Sequence, residues 1–351
     1  MPDDPIGGSP SLTRVAYSGE PGAFAEDAVI MAFDGPAPVP VPGFREVFEA
    51  VTAGRAPGDP SPAPLVGAGV VPIENLVSGT VRENYDLLLE HDLVVTGEVV
   101  VPVRLCLAAL PGQSLDEIER VYSHVQALAQ AEDFLRTRPW TLLTTYNTAG
   151  AARMIADRGE RAAGAVVSPR AAAVFGLDIL AEGIQQVSDN RTRFLVIARL
   201  ESAAAVEAEV ARVAARRVTA VPQGRPPGGE PQAAGIPASG GRAAPRRQSG
   251  GRPAASGTAQ RHGGDVSMRT TMVVAVRNEP GSLYRCLGVF ARAGLNMSKL
   301  ESRPGRDRAW EYVFWVDLDA NAAQARQAAA ELRPDASMVR ILGTYPRAVD
   351  G

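Results

Sequence analysis

The stretch LVGAGVVPIENLVSGT, residues 65–80, decides the fold. Its apolar run over 65–73 predicts a buried strand, because a short continuous apolar segment is typical of a strand covered on both faces. Two polar side chains, Glu74 and Asn75, end this strand. Residues 81–90 then place apolar side chains at helical spacing, so a strand, a turn and a helix follow one another as in an α/β layer structure.

Three small residues, Ser78, Gly79 and Thr80, lie between this strand and the helix. Thr80 is predicted to be the helix N-cap. The end of the strand and the start of the helix would aim side chains and backbone N–H groups at one point, which suits an anion. The same pattern also fits a plain strand–helix junction with Glu74 on the surface.

Strands and helices alternate on both sides of this stretch, up to residue 200. The strands are expected at 14–18, 120–122, 163–167 and 194–198, and the helices at 23–33, 44–53, 124–137, 148–158 and 169–175. A β-rich run over 93–109 is expected to cross to a second sheet near 100–105, with a return near 185–195. The predicted fold is therefore two α/β lobes with largely parallel sheets, similar to type II periplasmic binding proteins, with a ligand cleft between the lobes.

Residues 201–267 differ from the rest of the chain because they are rich in Ala, Gly, Pro and Arg and hold few large apolar side chains. Such a segment buries too little surface to offset the entropy of ordering, so it is predicted to be a disordered linker, in which 206–217 has the composition of a short helix. Residues 1–11 are also predicted to be disordered, and 56–64 to form an exposed loop. The linker divides the chain into a two-lobed domain over 12–200 and a smaller domain over 268–347.

The smaller domain is predicted to follow the order βαββαβ, the ferredoxin-like pattern of an α+β fold. Its strands are expected at 270–277, 297–303, 310–318 and 339–344, and its helices at 282–293 and 321–333. Gly281 opens the first of these helices. The free N–H groups of a helix start can hold the carboxylate of an amino acid, although a plain turn would have the same sequence.

The composition excludes several classes of function. A formal net charge of −3 provides no strongly basic face for nucleic acid. The two cysteines, Cys106 and Cys286, lie in apolar runs and are expected to be buried reduced thiols, and the three histidines are too scattered for a metal site. Neither a signal peptide nor a membrane span is visible, so the chain is expected to be cytoplasmic.

Two further motifs place polar residues at the ends of predicted strands. Tyr-Ser-His at 122–124 is followed by Gln130, and Ser123 is a predicted N-cap. Asp-Asn-Arg-Thr-Arg-Phe at 189–194 leads into an apolar strand, where it can place a hydroxyl and a carboxylate-binding guanidinium in a cleft. Each motif alone also fits an ordinary structural role.

Together and in this order, the motifs resemble the prephenate dehydratase family, over nearly the whole chain outside the linker. The resemblance rests on short segments that match in order: residues 19–24, 71–79, 122–124 and 192–194, and in the smaller domain 281–283 and 301–304. The smaller domain is similar to the ACT domain of that family. The family usually has proline after the histidine, where this chain has Val125.

The resemblance implies a lyase that converts prephenate to phenylpyruvate, water and carbon dioxide without a cofactor or a metal. It implies that Thr192 donates to the leaving hydroxyl and that four residues share in catalysis: Glu74, Asn75, Ser123 and Gln130. It implies that substrate is bound by Ser78, Gly79, Thr80, His124, Arg193 and Phe194. Arogenate is an alternative substrate, and a catalytically inactive amino-acid-binding protein is an alternative function.

ACT domains commonly pair side by side and bind an amino acid between them. The resemblance therefore implies L-phenylalanine as an effector and a homo-oligomer formed through these domains. The implied effector site consists of Gly281, Ser282, Leu283, Asn296, Glu301 and Ser302. Because a flexible linker transmits no torque, the effector would have to act through docked surfaces.

Overall fold

The computed structural model describes residues 14–56, 58, 66–220, 267–304 and 312–348. Three sheets with helices packed on them form the architecture of this described part. The predicted N-terminal segment, most of the predicted loop over 56–64 and residues 221–266 of the predicted linker lie outside the described residues.

The N-terminal part of the chain builds two lobes. Most of the first lobe comes first in the sequence: β1 (Arg14–Ser18), α1 (Phe24–Ala32), β2 (Ala37–Val41), α2 (Phe44–Ala53), β3 (Val66–Asn75), β4 (Gly79–Thr80), α3 (Arg82–Glu90) and β5 (Leu93–Pro102). The second lobe follows: β6 (Cys106–Ala109), a 3-10 turn (Leu115–Glu117), β7 (Arg120–Ser123), α4 (Val125–Gln130), α5 (Glu132–Leu135), β8 (Thr141–Thr144), α6 (Thr148–Arg158), β9 (Ala163–Val167), α7 (Pro169–Val174) and β10 (Asp178–Glu182). The chain then returns to the first lobe as β11 (Arg191–Arg199) and α8 (Leu200–Ala220).

The chain crosses between the lobes twice, at 103–105 and at 183–190. The first sheet has the strand order β2-β1-β3-β11-β5, with β4 paired to β3, and the second has the order β10-β6-β9-β7-β8. β3 and β5 both run toward the second lobe, and β11 comes back from it, so β11 pairs antiparallel with both neighbours. The sheets are therefore mixed, not largely parallel as the alternation of strands and helices predicts.

Residues 200–220 form α8 and do not begin the linker, so the predicted boundary at 201 is corrected. Val206, Val210 and Val213 are buried, and Val206 and Val210 join the core of the first lobe. A Cβ on Gly97 of β5 would lie only 2.7 Å from Val210 Cγ1, so the glycine permits this close approach. The short helix expected within the linker is longer and belongs to the first lobe. No helix among the described residues, α8 included, is long and apolar enough to cross a membrane.

Besides the two-residue strand β4, three strands are absent from the predicted set. β2 holds two prolines and lies at the edge of the first sheet, where proline is tolerated because one side of the strand has no partner. β8 and β10 form the two edges of the second sheet and are mostly exposed, so they lack the apolar run of a central strand. The helix predicted over 124–137 is divided at Ala131 into α4 and α5.

The C-terminal part forms a separate domain with the predicted ferredoxin-like order. Its elements are β12 (Met268–Val276), α9 (Ser282–Arg292), β13 (Asn296–Pro304), β14 (Tyr312–Asp319), α10 (Ala322–Leu332) and β15 (Ala336–Pro346). The sheet order is β13-β14-β12-β15, and all neighbouring strands are antiparallel. Two helices cover one face of this sheet.

The other face of the C-terminal sheet packs directly on the first lobe. Side chains alternate along each strand, so Val274 and Phe314 face the helices of the C-terminal domain, whereas Val273 and Trp315 join a core shared with the first lobe. The Trp315 and Tyr85 rings meet edge to face at 4.7 Å between centroids. The two domains therefore share an apolar core that does not depend on the linker between them.

We predict that Gly343→Ala separates the two domains. β15 passes so close to β5 that a Cβ at Gly343 would lie 1.9 Å from the Val95 carbonyl oxygen, and overpacking of this kind costs roughly 1–3 kcal/mol or more. Calorimetry should show one unfolding transition for the natural chain and two for the variant. Gly288→Ala is the control, because its nearest neighbour at 3.1 Å is the end of the flexible Arg292 side chain. A single, unshifted transition in Gly343→Ala would contradict the prediction.

Candidate active site at the hinge between the lobes

Asn75 is the centre of a hydrogen-bond network at the hinge, where the first sheet meets the chain crossings. Its Nδ2 lies 2.9 Å from Thr192 Oγ1, 2.8 Å from Asn190 Oδ1 and 3.1 Å from the Arg191 carbonyl oxygen. Its Oδ1 accepts hydrogen bonds from two backbone N–H groups of the turn that follows β3. One amide side chain therefore ties together β3, its following turn and β11.

The register of the first sheet brings these residues together. Thr192 of β11 is the partner of Asn75 of β3, and opposed residues of an antiparallel pair present their side chains on the same face. Asn190 precedes Thr192 by two residues, so the alternation of an extended chain directs both toward the same side. Asn190 is 2% exposed and Thr192 is 9% exposed, so their polar groups depend on protein partners.

Gln130, the last residue of α4, extends the network into the second lobe. Its Nε2 donates to Ser78 Oγ at 3.2 Å, and its Oε1 accepts from Asn190 Nδ2 at 3.1 Å. The backbone oxygen of Gln130 also accepts from Gln186 in the returning crossing, at 2.8 Å. We call Asn75, Ser78, Gln130, Asn190 and Thr192 the hinge network, since its members come from both lobes and from the segment between them.

All five members of the hinge network are neutral amides and hydroxyls. Thr192 Oγ1 accepts a hydrogen bond from Asn75, which fixes the oxygen and leaves its own proton available for a further acceptor. Ser78 Oγ accepts from Gln130 in the same way. The described residues contain no cluster of three His, Cys, Asp or Glu side chains that could hold a metal ion. The arrangement is suited to donating hydrogen bonds to a bound molecule.

Asn190 is the member of the hinge network that is not among the predicted site residues. It lies inside the 189–194 motif, and its spacing of two residues from Thr192 was the available signal. A residue two positions before a strand residue shares its face when the chain is extended. The sequence alone does not show that the chain is already extended at Asn190, before β11 begins.

Glu74 and Arg193 lie outside the cleft in which they were expected. Glu74 is adjacent to Asn75 and Arg193 is adjacent to Thr192, and successive side chains of a strand point to opposite faces. Glu74 Oε2 lies 2.9 Å from Lys299 Nζ of the C-terminal domain and 3.5 Å from Arg193 Nη2. Both side chains therefore face the C-terminal domain.

The turn after β3 also differs from its prediction. Thr80 belongs to the short strand β4, and the N-cap of α3 is Val81. The Thr80 hydroxyl donates to Glu301 Oε2 at 3.0 Å, so it contacts the C-terminal domain. Gly79 lies beside Ser78, and the space where its Cβ would stand is open, so a role for it in substrate binding stays a prediction.

Three other predicted site residues have structural roles. Ser123 is fully buried and donates to the Val166 carbonyl oxygen at 2.6 Å, so it is not the predicted helix cap. His124 caps α4 instead, because its Nδ1 accepts from a backbone N–H in the first turn. Phe194 is 2% exposed and belongs to the core of the first lobe. These residues support the elements that carry Gln130 and Thr192.

The Gly-Glu-Pro-Gly motif at 19–22 forms a second contact between the two lobes. Glu20 accepts hydrogen bonds from Tyr146 at 2.8 Å and from Arg153 at 2.9 Å, both in the second lobe. Gly22 has φ +86°, and a Cβ there would lie 2.5 Å from Ala171 Cα. The motif therefore needs glycine because the first lobe touches the backbone of the second at this point.

The predicted effector residues do not form one cluster within a single chain. Gly281, with φ +82°, and the buried Ser282 begin α9, whereas Asn296 begins β13 beside Asp319, near the other end of the sheet. The start of α9 and the start of β13 therefore lie at opposite ends of the sheet, about six residues apart along β12, which corresponds to roughly 20 Å. Leu283 packs against the C-terminal core. Glu301 binds Thr80 and Ser302 is exposed, so the effector site stays a prediction.

Comparison with known proteins finds a family model and a plant enzyme that are similar to this chain. A family model described as prephenate dehydratase matches residues 15–202. The chain is 33% identical over 355 residues to the arogenate dehydratase/prephenate dehydratase 1, chloroplastic, of Arabidopsis thaliana, which covers 97% of this chain and 73% of the plant protein.

Two solved structures have similar folds. The prephenate dehydratase of Arthrobacter aurescens in complex with L-Phe has a TM-score of 0.68 and 25% identity, covering 96% of this chain and 90% of that one. GqqA, described as a novel type of quorum quenching acylase, has a TM-score of 0.68 and 27% identity, covering 95% of this chain and 98% of that one.

We predict that Asn75→Ala lowers the free energy of unfolding by about 2–3 kcal/mol, because it removes the donor that binds Asn190 Oδ1 and Thr192 Oγ1 in a buried position. Denaturant unfolding measures this change. Asn147→Ala is the matched control: Asn147 accepts one hydrogen bond at the start of α6, and loss of such a cap costs about 1 kcal/mol. Equal losses in the two variants would contradict the central place of Asn75.

Proposed function

The chain belongs to the prephenate dehydratase family, and we propose that it converts prephenate to phenylpyruvate, water and carbon dioxide at the hinge network. The family match over 15–202 includes every member of that network. The single observation that carries the proposal is the 2.9 Å hydrogen bond from Asn75 Nδ2 to Thr192 Oγ1. It fixes a hydroxyl donor in a nearly buried position between the lobes.

The reaction needs a donor for the leaving hydroxyl of the substrate. Loss of this hydroxyl and of the ring carboxylate makes the ring aromatic, so the chemistry is downhill once the C–O bond begins to break. A threonine hydroxyl is a weak acid in water. At Thr192 the oxygen accepts a hydrogen bond from Asn75, which polarises its O–H group and strengthens its donation to the leaving oxygen.

The second requirement is to hold a dianion in one orientation. Ser78 and Gln130 come from different lobes and are hydrogen-bonded to each other. Substrate enclosed between the lobes would therefore meet donors from both sides, and fixing its orientation contributes to the rate by removing rotational freedom before the reaction. Asn190, which contacts both Asn75 and Gln130, keeps the two halves of the network in register.

Arogenate is the second candidate substrate. The similar protein of Arabidopsis thaliana carries both substrate names. The two molecules differ in whether the side chain bears a keto or an amino group, and they lose the same ring substituents. The role proposed for Thr192 is the same for both, so the residues that select the side chain decide between them.

An acylase activity, named for one similar structure, is not proposed for this chain. A hydroxyl nucleophile needs a base within hydrogen-bond reach. The two histidines that the structure describes, His91 and His124, bind Thr52 and the start of α4 respectively. The site hydroxyls bind amides.

We also propose that L-phenylalanine regulates the enzyme through an ACT domain formed by residues 268–347. The similar Arthrobacter aurescens structure is a complex with L-Phe. The apolar core that the C-terminal domain shares with the first lobe offers a route for regulation that does not depend on the linker. A homo-oligomer built through these domains and a cytoplasmic location stay predictions.

We expect Thr192→Val to lower kcat for phenylpyruvate formation by about 100-fold or more, with a smaller change in KM, because general acid assistance is worth about 10²–10⁴-fold. Thr192→Ser, which keeps the hydroxyl, should retain most of the kcat of the natural chain. Purified prephenate and arogenate are assayed in parallel. A Thr192→Val enzyme with the kcat of the natural chain would contradict the role of Thr192 as the donor. If the natural chain turned over neither substrate, the proposed function would be wrong.

L-Phenylalanine is expected to bind the full chain and to lower its rate, whereas D-phenylalanine, the control, should do neither. The physical reason is that an effector shifts the enzyme only through a difference in its affinity for two conformations. Calorimetric titration measures binding, and the initial rate measures regulation. Lack of any L-phenylalanine binding at millimolar concentration would contradict this part of the proposal.

A further inference from the structure

Lys299 is the only lysine of a chain that has 35 arginines. Its side chain is 11% exposed and lies between the C-terminal domain and the first lobe. Its Nζ is 2.9 Å from Glu74 Oε2 and 5.5 Å from the centre of the Tyr85 ring. A compact ammonium can fill this position over an aromatic ring, whereas a planar guanidinium has a different shape and donor geometry. The single lysine therefore marks a buried contact between domains.

Arg193 lies beside this contact and joins three carboxylates. Its guanidinium is 2.7 Å from Asp317, 3.1 Å from Glu98 and 3.5 Å from Glu74. Burial by itself would lower the pKa of Arg193, but Asp317 and other nearby groups raise that pKa above its ordinary value. The guanidinium is therefore held as a cation inside the interface.

The cluster has complementary charge on its two sides. We call it the interdomain ion cluster, and its members are Glu74, Glu98 and Arg193 from the first lobe and Arg269, Lys299 and Asp317 from the C-terminal domain. The lobe contributes two acids and one base, and the C-terminal domain contributes two bases and one acid. Arg269 completes the set with a 2.7 Å contact to Glu98. The charges balance only when the two domains are docked.

The interdomain ion cluster and the hinge network lie on opposite faces of the sheet, at the same two residue pairs of β3 and β11. Asn75 is paired with Thr192, and Glu74 is paired with Arg193. A bulge follows directly, between Arg193 and Phe194, and bulges allow a strand to change its local twist. A displacement of the backbone at Arg193 or Glu74 would therefore also displace Thr192 or Asn75, because these residues are covalently adjacent.

We propose that Glu74 and Arg193 are positioning residues for Asn75 and Thr192, and that the C-terminal domain sets their position through Lys299 and Asp317. Neither Glu74 nor Arg193 touches the substrate in this arrangement. A cavity of about 450 Å³ adjoins the cluster and is lined by members from both domains, so the charged side chains have room to change position. The docked C-terminal domain thus influences the positions of the hinge-network residues from the opposite face of the sheet.

The first test compares two contacts of the C-terminal domain in the full chain. Asp317→Asn and, as a second variant, Lys299→Met each weaken the interdomain ion cluster. Arg340→Gln is the matched control, because Arg340 also bridges the domains but reaches the α3–β5 connection at His91 and Asp92. We expect at least a ten-fold loss of kcat with KM changed by less than threefold in the first two variants, and a kcat within twofold of the natural value in the control.

The second test does not need enzymatic activity, so it also distinguishes failure of this inference from failure of the proposed function on which the rate assay rests. Protein produced with ¹³C-labelled lysine carries a single labelled side chain, Lys299, and its NMR signal reports on the cluster. Thr192→Val and Asn75→Ala should each move this signal by more than its line width. Asn147→Ala, the cap of α6 in the second lobe, should leave it unchanged.

Thermal unfolding of every variant establishes that it is folded at the assay temperature. Unchanged kcat in both Asp317→Asn and Lys299→Met, or an equal loss in Arg340→Gln, would overturn the proposal. An unmoved Lys299 signal in both hinge variants would overturn it as well. If the natural chain turns over neither prephenate nor arogenate while the signal moves as expected, the proposed function fails and the coupling between the two faces stands.

Discussion

The entry of β11 between β3 and β5 is the contact on which the rest of the structure depends. The strand comes from the second lobe, and its antiparallel pairing fixes where the returning crossing must end. That register sets Thr192 opposite Asn75 and leaves Asn190 just before the start of β11, where it is hydrogen-bonded to Gln130. A slip of one residue would turn every side chain of β11 to the opposite face, which would place Arg193 in the cleft and Thr192 against the C-terminal domain.

The two faces of this strand pair have different electrostatic character, and each suits its surroundings. The cleft face holds neutral amides and hydroxyls, so a dianionic substrate meets no fixed carboxylate of the hinge network. The opposite face holds buried ions, and buried ion pairs contribute little to stability because desolvation offsets their attraction. Their benefit is orientation: six charges that balance in one docked arrangement leave unpaired buried charge in any other.

The sequence predicted those parts of the fold whose signal is local. Helices α2 and α6 have their predicted bounds because apolar spacing and terminal glycines define them, and the ferredoxin-like order of the C-terminal domain follows from its alternating strands. β2 was missed because a proline-rich segment resembles a loop when its partner strand is unknown. α8 was assigned to the linker because an alanine-rich segment resembles a loop when the sheet that it packs against is unknown. For the site, short motifs singled out Asn75, Thr192 and Gln130, which the structure brings together in the hinge network. They could not identify which neighbour of each residue faces the cleft, because that depends on strand register, and Glu74 and Arg193 were therefore assigned to the wrong face.

The return of the chain also constrains the order in which the protein can fold. The strands of the second lobe come from one continuous segment, whereas the first lobe needs β11, whose Thr192 bonds a residue 117 positions earlier. Closing so long a loop is slow, since its entropy must be paid before the contact forms. During synthesis the second lobe can be complete while β3 and β5 still have open edges facing each other, and unpaired edges of this kind favour association between chains. We expect the nascent protein to be most vulnerable to aggregation in the interval before residues 191–199 leave the ribosome.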